Sequence, residues 1–226
     1  MSQLPRVSVF PQTLFFIILQ SLVGFAVADD PANPFDGKSL SDWTTIDGKP
    51  APSGWQVVDG VIHLTKDGKG SGHIVTASDY GDFVLSFEWK IAPGGNSGLK
   101  YKVRTYGTRT IGCEYQIYDD TGVKKVEPRN SAGSLYDLYE PKPSKKLMPV
   151  GEWNHAKIVV QGNRIEHWLN GEKIVEAIVG DSEWKKRVSE SKFSEYEEFS
   201  QQPKGKLMLT DHGSEVWYRN FSFDAH

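Results

Sequence analysis

Hydrophobic and polar residues alternate with a period of two along much of this chain, in short runs separated by Gly, Pro, Asn and Asp. From Phe83 to Ile91, Leu85, Phe87, Trp89 and Ile91 fall on one face and Ser86, Glu88 and Lys90 on the other. That is the pattern of a half-buried antiparallel strand. Gly98 to Thr105 repeats it, with Leu99, Tyr101 and Val103 opposite Lys100, Lys102 and Arg104. Gly112 to Asp120 sets Cys113, Tyr115 and Ile117 against Glu114, Gln116 and Tyr118. Trp55 to Leu64 reads as a hairpin turning at Asp59-Gly60. Asn154 to Gly162 and Arg164 to Asn170 form a second pair, which Asn170-Gly171 is expected to close, and Lys206 to Thr210 and Val216 to Phe223 supply the last strands. The spacing predicts one helix within Ser182 to Ser200, capped by Ser182, with Trp184, Val188 and Phe193 as its apolar residues. Many short strands and a single helical insertion near residues 182–200 predict an all-β fold, a two-sheet β-sandwich of the jelly-roll kind.

The first 28 residues do not fit this pattern. Arg6 is the only charged residue before Asp29, an apolar run includes Leu14 to Leu19, and Ala26-Val27-Ala28 closes it. A basic start, an apolar middle and a small-x-small end describe a secretory signal peptide. The expected organisation is therefore a leader over 1–28 and one domain over 29–226, released to the periplasm or the exterior with no membrane anchor. The formal net charge is −3 and becomes one unit more negative when Arg6 leaves, which gives no electrostatic footprint for nucleic acid. The one cysteine of the chain, Cys113, excludes an internal disulfide and reads as a small buried hydrophobe. The seven Trp suit a core, and they also suit stacking on the C–H faces of sugars.

Several segments resemble, together and in order, the 3-keto-disaccharide hydrolase domain family. They are Phe35-Asp36-Gly37, Gly95-Asn96-Ser97-Gly98, Glu114 to Asp120, Ser131 to Asp137, Gly151-Glu152-Trp153-Asn154, His167 to Gly171, Ser191-Lys192-Phe193, Asp211-His212-Gly213 and Arg219-Asn220. The resemblance runs from about Phe35 to Phe223. It implies a concanavalin A-like fold and cleavage of glycosides whose sugar carries a ketone at C3. Where the family often has Leu-Gln before Asp-His-Gly, this chain has Leu209-Thr210.

A ketone at C3 acidifies the C2 proton. Such chemistry needs a base near C2, an acid at the leaving oxygen and a positive or hydrogen-bonding group at O3. Glu114 and Gln116 share one strand face by their spacing of two. Glu114 and His212 are the candidates for the proton transfers. His212 suits general acid/base work best, since an unperturbed imidazole titrates near neutrality, and Asp211 would orient that imidazole or cap the turn. Lys100, Lys102 and Arg219 are candidates for the enolate oxygen. Asn96, Gln116, Asp119 and Tyr136 complete the expected saccharide contacts, although Asp119 reads first as a turn former. His167 shares parity with Ile165 and Leu169 and reads as a core histidine. His63, His73 and His155 are scattered and show no metal spacing. No cofactor is expected, while an oxygen-ligated divalent ion assembled from distant loops stays open. Two other readings remain: a lectin-like carbohydrate-binding module, and a matrix protein of the cell envelope.

Overall fold

A computed structural model describes residues 33–122, 124–196 and 198–225; the leader expected over 1–28 lies outside the described residues. Among the described residues, twelve strands form two antiparallel sheets. One has five strands in the order β1 (Trp43–Thr44), β4 (Ile74–Thr76), β11 (Lys206–Leu209), β6 (Asn96–Tyr106) and β7 (Arg109–Tyr118). The other has seven: β10 (Glu172–Ile178), β9 (Arg164–Leu169), β8 (Asn154–Gln161), β5 (Phe83–Ile91), β12 (Val216–Ala225), β3 (Val61–Leu64) and β2 (Trp55–Val58). The alternation in β5 is complete, every odd residue from Phe83 to Ile91 being buried. Its inward row meets the inward row of the smaller sheet, where Phe87 packs edge-on to Tyr115 and Phe83 edge-on to Tyr101. Two sheets with such faces can bury them only against each other.

Turn chemistry sets the registers. Asp59 and Gly60 both take positive φ, as a two-residue turn between β2 and β3 requires. Asn170-Gly171 does not close the pair formed by β8 and β9, as the sequence had suggested. Gln161 faces Arg164 across that pair, so Gly162-Asn163 makes the turn. Asn170-Gly171 instead leads into β10, whose less regular burial had hidden it. The helix is also shorter than expected. It covers Ser182–Ser189 (α1), and Asp181, not Ser182, is its N-cap, accepting the Trp184 N–H. Ser189 and Ser191 turn their hydroxyls back onto the carbonyls of Lys186 and Val188, an alternative to continued helix that serine side chains favour. Phe193 and Phe199 beyond it stack on each other and anchor the segment to the core.

Polar ties cross the interior. His167 on β9 is fully buried, hydrogen-bonded through Nε2 to the Tyr101 hydroxyl at 2.8 Å and through Nδ1 to the Gly133 carbonyl at 3.0 Å. A carbonyl only accepts, so Nδ1 carries the proton and Nε2 accepts from Tyr101. The Ser97 hydroxyl donates to the Thr210 carbonyl at 2.7 Å and lies 2.9 Å from the Tyr218 hydroxyl. Along the free edge of β7, a loop supplies the missing partners. Gly133 donates to the Gln116 carbonyl, Gln116 donates to the Ser134 carbonyl, and Tyr136 donates to the Glu114 carbonyl. Among the described residues no helix is long and apolar enough to cross a membrane.

Burial drives the pKa of His167 down to about 4 from 6.5. Between those values the unfolded chain takes up the proton first, so the folded state loses stability as pH falls from about 6.5 to 4. The full loss is about 3 kcal/mol for this residue. Urea unfolding at pH 7 and pH 4.5 is expected to show the decline in the wild type. A His167→Gln variant is expected to be less stable at pH 7 and to decline less on acidification; an equal decline would assign it to other groups.

Candidate functional site

The candidate site lies on the outward face of the five-stranded sheet. Glu114 sits on β7, directly opposite Lys100 on β6. Its neighbours Cys113 and Tyr115 point into the core, so its own side chain points away from it. The carboxylate is nevertheless only 3% exposed as part of Glu114. It leans across Gly98: a Cβ at that position would stand 2.3 Å from Glu114 Oε1. Glycine there is what lets the carboxylate lie against the sheet.

Basic side chains surround this carboxylate. Lys100 Nζ is 3.7 Å from Oε2, and His212 Nε2 is 3.7 Å from Oε1. Neither separation is a hydrogen bond, and Oε1 has no hydrogen-bond partner among the described residues. Burial opposes ionisation of Glu114. Lys100, His212 and Lys192 outweigh it and hold the carboxyl below the ordinary range. A buried, ionised oxygen with an open hydrogen-bonding position is what a proton-abstracting base requires.

Two residues of this cluster carried no signal that alternation could report. Lys192 follows α1 in a turn held by a hydrogen bond from its amide to Asp137 Oδ2 at 2.8 Å. Its ammonium lies 3.9 Å above the Tyr136 ring, and burial lowers its pKa despite the pull of Glu114. The other is His73. Its Nδ1 accepts the Asp211 N–H at 3.0 Å, so the neutral ring carries its proton on Nε2. Burial, with Lys100 and His212 adding to it, brings its pKa down to about 4. The His73 and His212 rings meet edge to face at 5.6 Å. Only the motif containing Lys192 had pointed toward the first, and His73 had been read as one of several scattered histidines.

The other sequence candidates divide. Tyr136 joins the cluster: burial first and Glu114 second raise its hydroxyl pKa. Gln116 and Asn96 lie beside it, with Gln116 Nε2 donating to the Asn130 carbonyl at 3.2 Å and to Asn96 Oδ1 at 3.4 Å. Asp211 serves the turn, accepting the N–H groups of Gly72 and Gly213, and has no bond to His212. Asp119 is likewise taken up by its own loop, accepting from Gly94, Thr121 and Gly122. Lys102 is not beside Glu114. It sits at a bulge with φ of 50°, where the register of β6 shifts against β7, and its ammonium donates to the Gln202 carbonyl. A bulge inserts one residue and reverses parity beyond it. Arg219 belongs to the other sheet, paired with Glu88 at 2.7 Å and lying over the Trp153 ring. Cys113 is buried, and desolvation lifts its thiol to about 12. Among the described residues no group of three or more His, Cys, Asp and Glu side chains is placed to hold a metal ion.

The 3-keto-alpha-glucoside-1,2-lyase-like domain family matches residues 30–224. A 3-keto-disaccharide hydrolase from Bacteroides thetaiotaomicron is 30% identical, over 85% of this chain and 77% of that protein. Two crystal structures of candidate glycosyl hydrolases from Parabacteroides distasonis superimpose. The first has a TM-score of 0.75 at 32% identity, covering 85% of this chain and 92% of the other. The second has a TM-score of 0.67 at 25% identity, covering 86% and 98%.

The ring of cations makes a prediction about Glu114 alone. Lys192→Ala removes one compensating charge and leaves burial in place, so the Glu114 pKa rises. Titration of labelled glutamate side chains by carbon NMR is expected to show the Glu114 midpoint below 4.5 in the wild type and higher in the variant. An unchanged midpoint would remove Lys192 from the site.

Proposed function

The chain belongs to the 3-keto-α-glucoside-1,2-lyase-like family, and from that premise we propose that it cleaves 3-keto-glycosides by elimination followed by hydration. The observation that carries this reading is the buried, ionised Glu114 with one oxygen unpartnered amid cations. Glu114 takes the proton from C2, and the electron pair forms an enolate whose negative charge resides on O3. Lys100 and Lys192 stabilise that oxygen. This transfers to Lys192 the role that the sequence had offered to Lys102 or Arg219. As the C1–O bond breaks, His212 in its protonated form gives its proton to the leaving oxygen. Water then adds at C1 of the enone, and C2 is reprotonated to restore the 3-keto sugar. Neutral His73, with its proton on Nε2, is a hydrogen-bond donor for a sugar hydroxyl. A single buried carboxylate among cations also differs from the pair of carboxylates that ordinary glycoside hydrolysis uses.

The leader over residues 1–28 belongs to the same proposal: the working enzyme begins at Asp29 and acts outside the cytoplasm. Mass spectrometry of the exported chain tests this.

A second reading is a carbohydrate-binding module, favoured by a groove of about 580 Å³ on the outward face of the seven-stranded sheet. Trp153 and Trp168 line it, and indole faces suit sugar stacking. In that case Trp168→Ala abolishes binding and no variant changes turnover.

Release of sugar from a 3-keto-disaccharide, compared with its unoxidised parent, decides between the two. Turnover of the keto substrate alone is expected. Glu114→Gln is expected to lower kcat by about 10²–10⁴-fold, and His212→Ala by a similar order, with sugar binding retained. Binding without turnover of either sugar would support the module.

A further inference from the structure

Lys192 reaches the charged cluster from a turn with few ties. Ser191 donates to the Val188 carbonyl, Phe193 to Ser191 Oγ and Ser194 to the Ser191 carbonyl, all within the turn itself. Phe193 is buried against Phe199 and anchors the turn to the core. Among the described residues a single hydrogen bond joins residues 191–194 to chain outside residues 188–196: the Lys192 amide donates to Asp137 Oδ2 at 2.8 Å. Asp137 is held in its turn. Its N–H donates to the Arg129 carbonyl at 2.9 Å, and its carbonyl accepts from Arg129 Nη1 at 3.3 Å. The residue before it, Tyr136, donates its N–H to the Glu114 carbonyl at 3.0 Å. Two hydrogen bonds therefore lead from the backbone of Glu114 to that of Lys192. Asp137 also has a φ of 62°. Aspartate tolerates this left-handed region better than most residues with a side chain. Such conformations persist where the surroundings over-determine them, and they gather at functional sites.

We infer that Asp137 is a positioning residue of this site: its carboxylate holds the Lys192 turn against the loop that bears Tyr136, and so keeps the Lys192 ammonium over the Tyr136 ring and in reach of Glu114. The inference rests on the reading of Lys192 as part of the reaction site. Burial above all lowers the Lys192 pKa, with Lys100 and Arg109 adding to it, while Glu114 and then Asp137 oppose that. When Glu114 takes up a proton, its pull on Lys192 ends; the bond to Asp137 does not. The turn thus keeps its place while the enolate forms. The sign of one effect separates this role from a plain change of charge. Removing a negative charge near Glu114 lowers the Glu114 pKa, whereas letting Lys192 drift away raises it.

Two variants and the wild type test this. Asp137→Gly keeps the positive φ, which glycine adopts freely, and removes the carboxylate. Asp137→Asn removes the charge and keeps both an acceptor oxygen and tolerance of that φ. Carbon NMR titration of the full chain is expected to show a higher Glu114 midpoint in Asp137→Gly, no further rise when Lys192→Ala is added, and recovery toward the wild-type value in Asp137→Asn. With a 3-keto-disaccharide, Asp137→Gly is expected to lower kcat roughly tenfold with KM little changed, as loss of enolate stabilisation requires, and Asp137→Asn to recover most of that loss. In the wild type, the Lys192 amide proton signal is expected to move together with the Asp137 carboxyl carbon on acidification, a readout that needs no variant to fold. A Glu114 midpoint that stays or falls in Asp137→Gly overturns the inference, as does a loss that Asp137→Asn fails to recover, or a Lys192 amide indifferent to Asp137. The expected titrations with no turnover by the wild type keep Asp137 in its role toward Lys192 and discard the proposed reaction.

Discussion

A carboxylate taken out of water must have its charge answered nearby, and Glu114 imposes that constraint on the whole outward face of the smaller sheet. Removing such an ion from water costs several kcal/mol even after relaxation. Here the answer comes from three separate stretches of chain: Lys100 on the neighbouring strand, His212 after β11, and Lys192 after α1. The site therefore exists only when the sandwich is assembled. None of the three side chains is locked onto Glu114 by a hydrogen bond. Oε1 keeps an open position, and the surrounding field stabilises the charge without occupying that position.

The interior holds this arrangement still. Tyr115, the neighbour of Glu114, donates its hydroxyl to the Trp168 carbonyl on the opposite sheet. Tyr101, next to Lys100, is tied to His167. Gly98 lies beneath the carboxylate and accepts the N–H of Thr210, which directly follows β11. Glu114 and Lys100 thus each have a neighbour that bridges the two sheets. Buried polar groups satisfied in this way fix one packing among the several that an apolar core alone would tolerate.

The fold was largely legible because alternation is a local signal. β5 and the start of β6 keep their period of two, and Asp59-Gly60 marks its hairpin as expected. The failures have local causes as well. Val103 and Lys102 swap faces because a bulge interrupts β6, and no count of residues reveals a bulge. Asn170-Gly171 was recognised as a turn and attached to the wrong pair of strands. At the site, Glu114 and His212 could be named from sequence and lie together in the fold. Lys192 and His73 reach the cluster from loops whose paths only tertiary packing determines. Arg219 was assigned to it on a motif, yet the strand that bears it lies in the other sheet.

β7 carries the buried carboxylate and is also the last strand of its sheet. A bare strand edge invites another chain to extend the sheet, which ends in aggregation. The loop through Gly133, Ser134 and Tyr136 takes up those backbone groups. The same residues thereby do two jobs, since Tyr136 also supports Lys192. Protection from self-association and the electrostatics of the site are written into one segment. A loop replacement that spoiled one would spoil the other, and loss of solubility would travel with loss of the charged cluster.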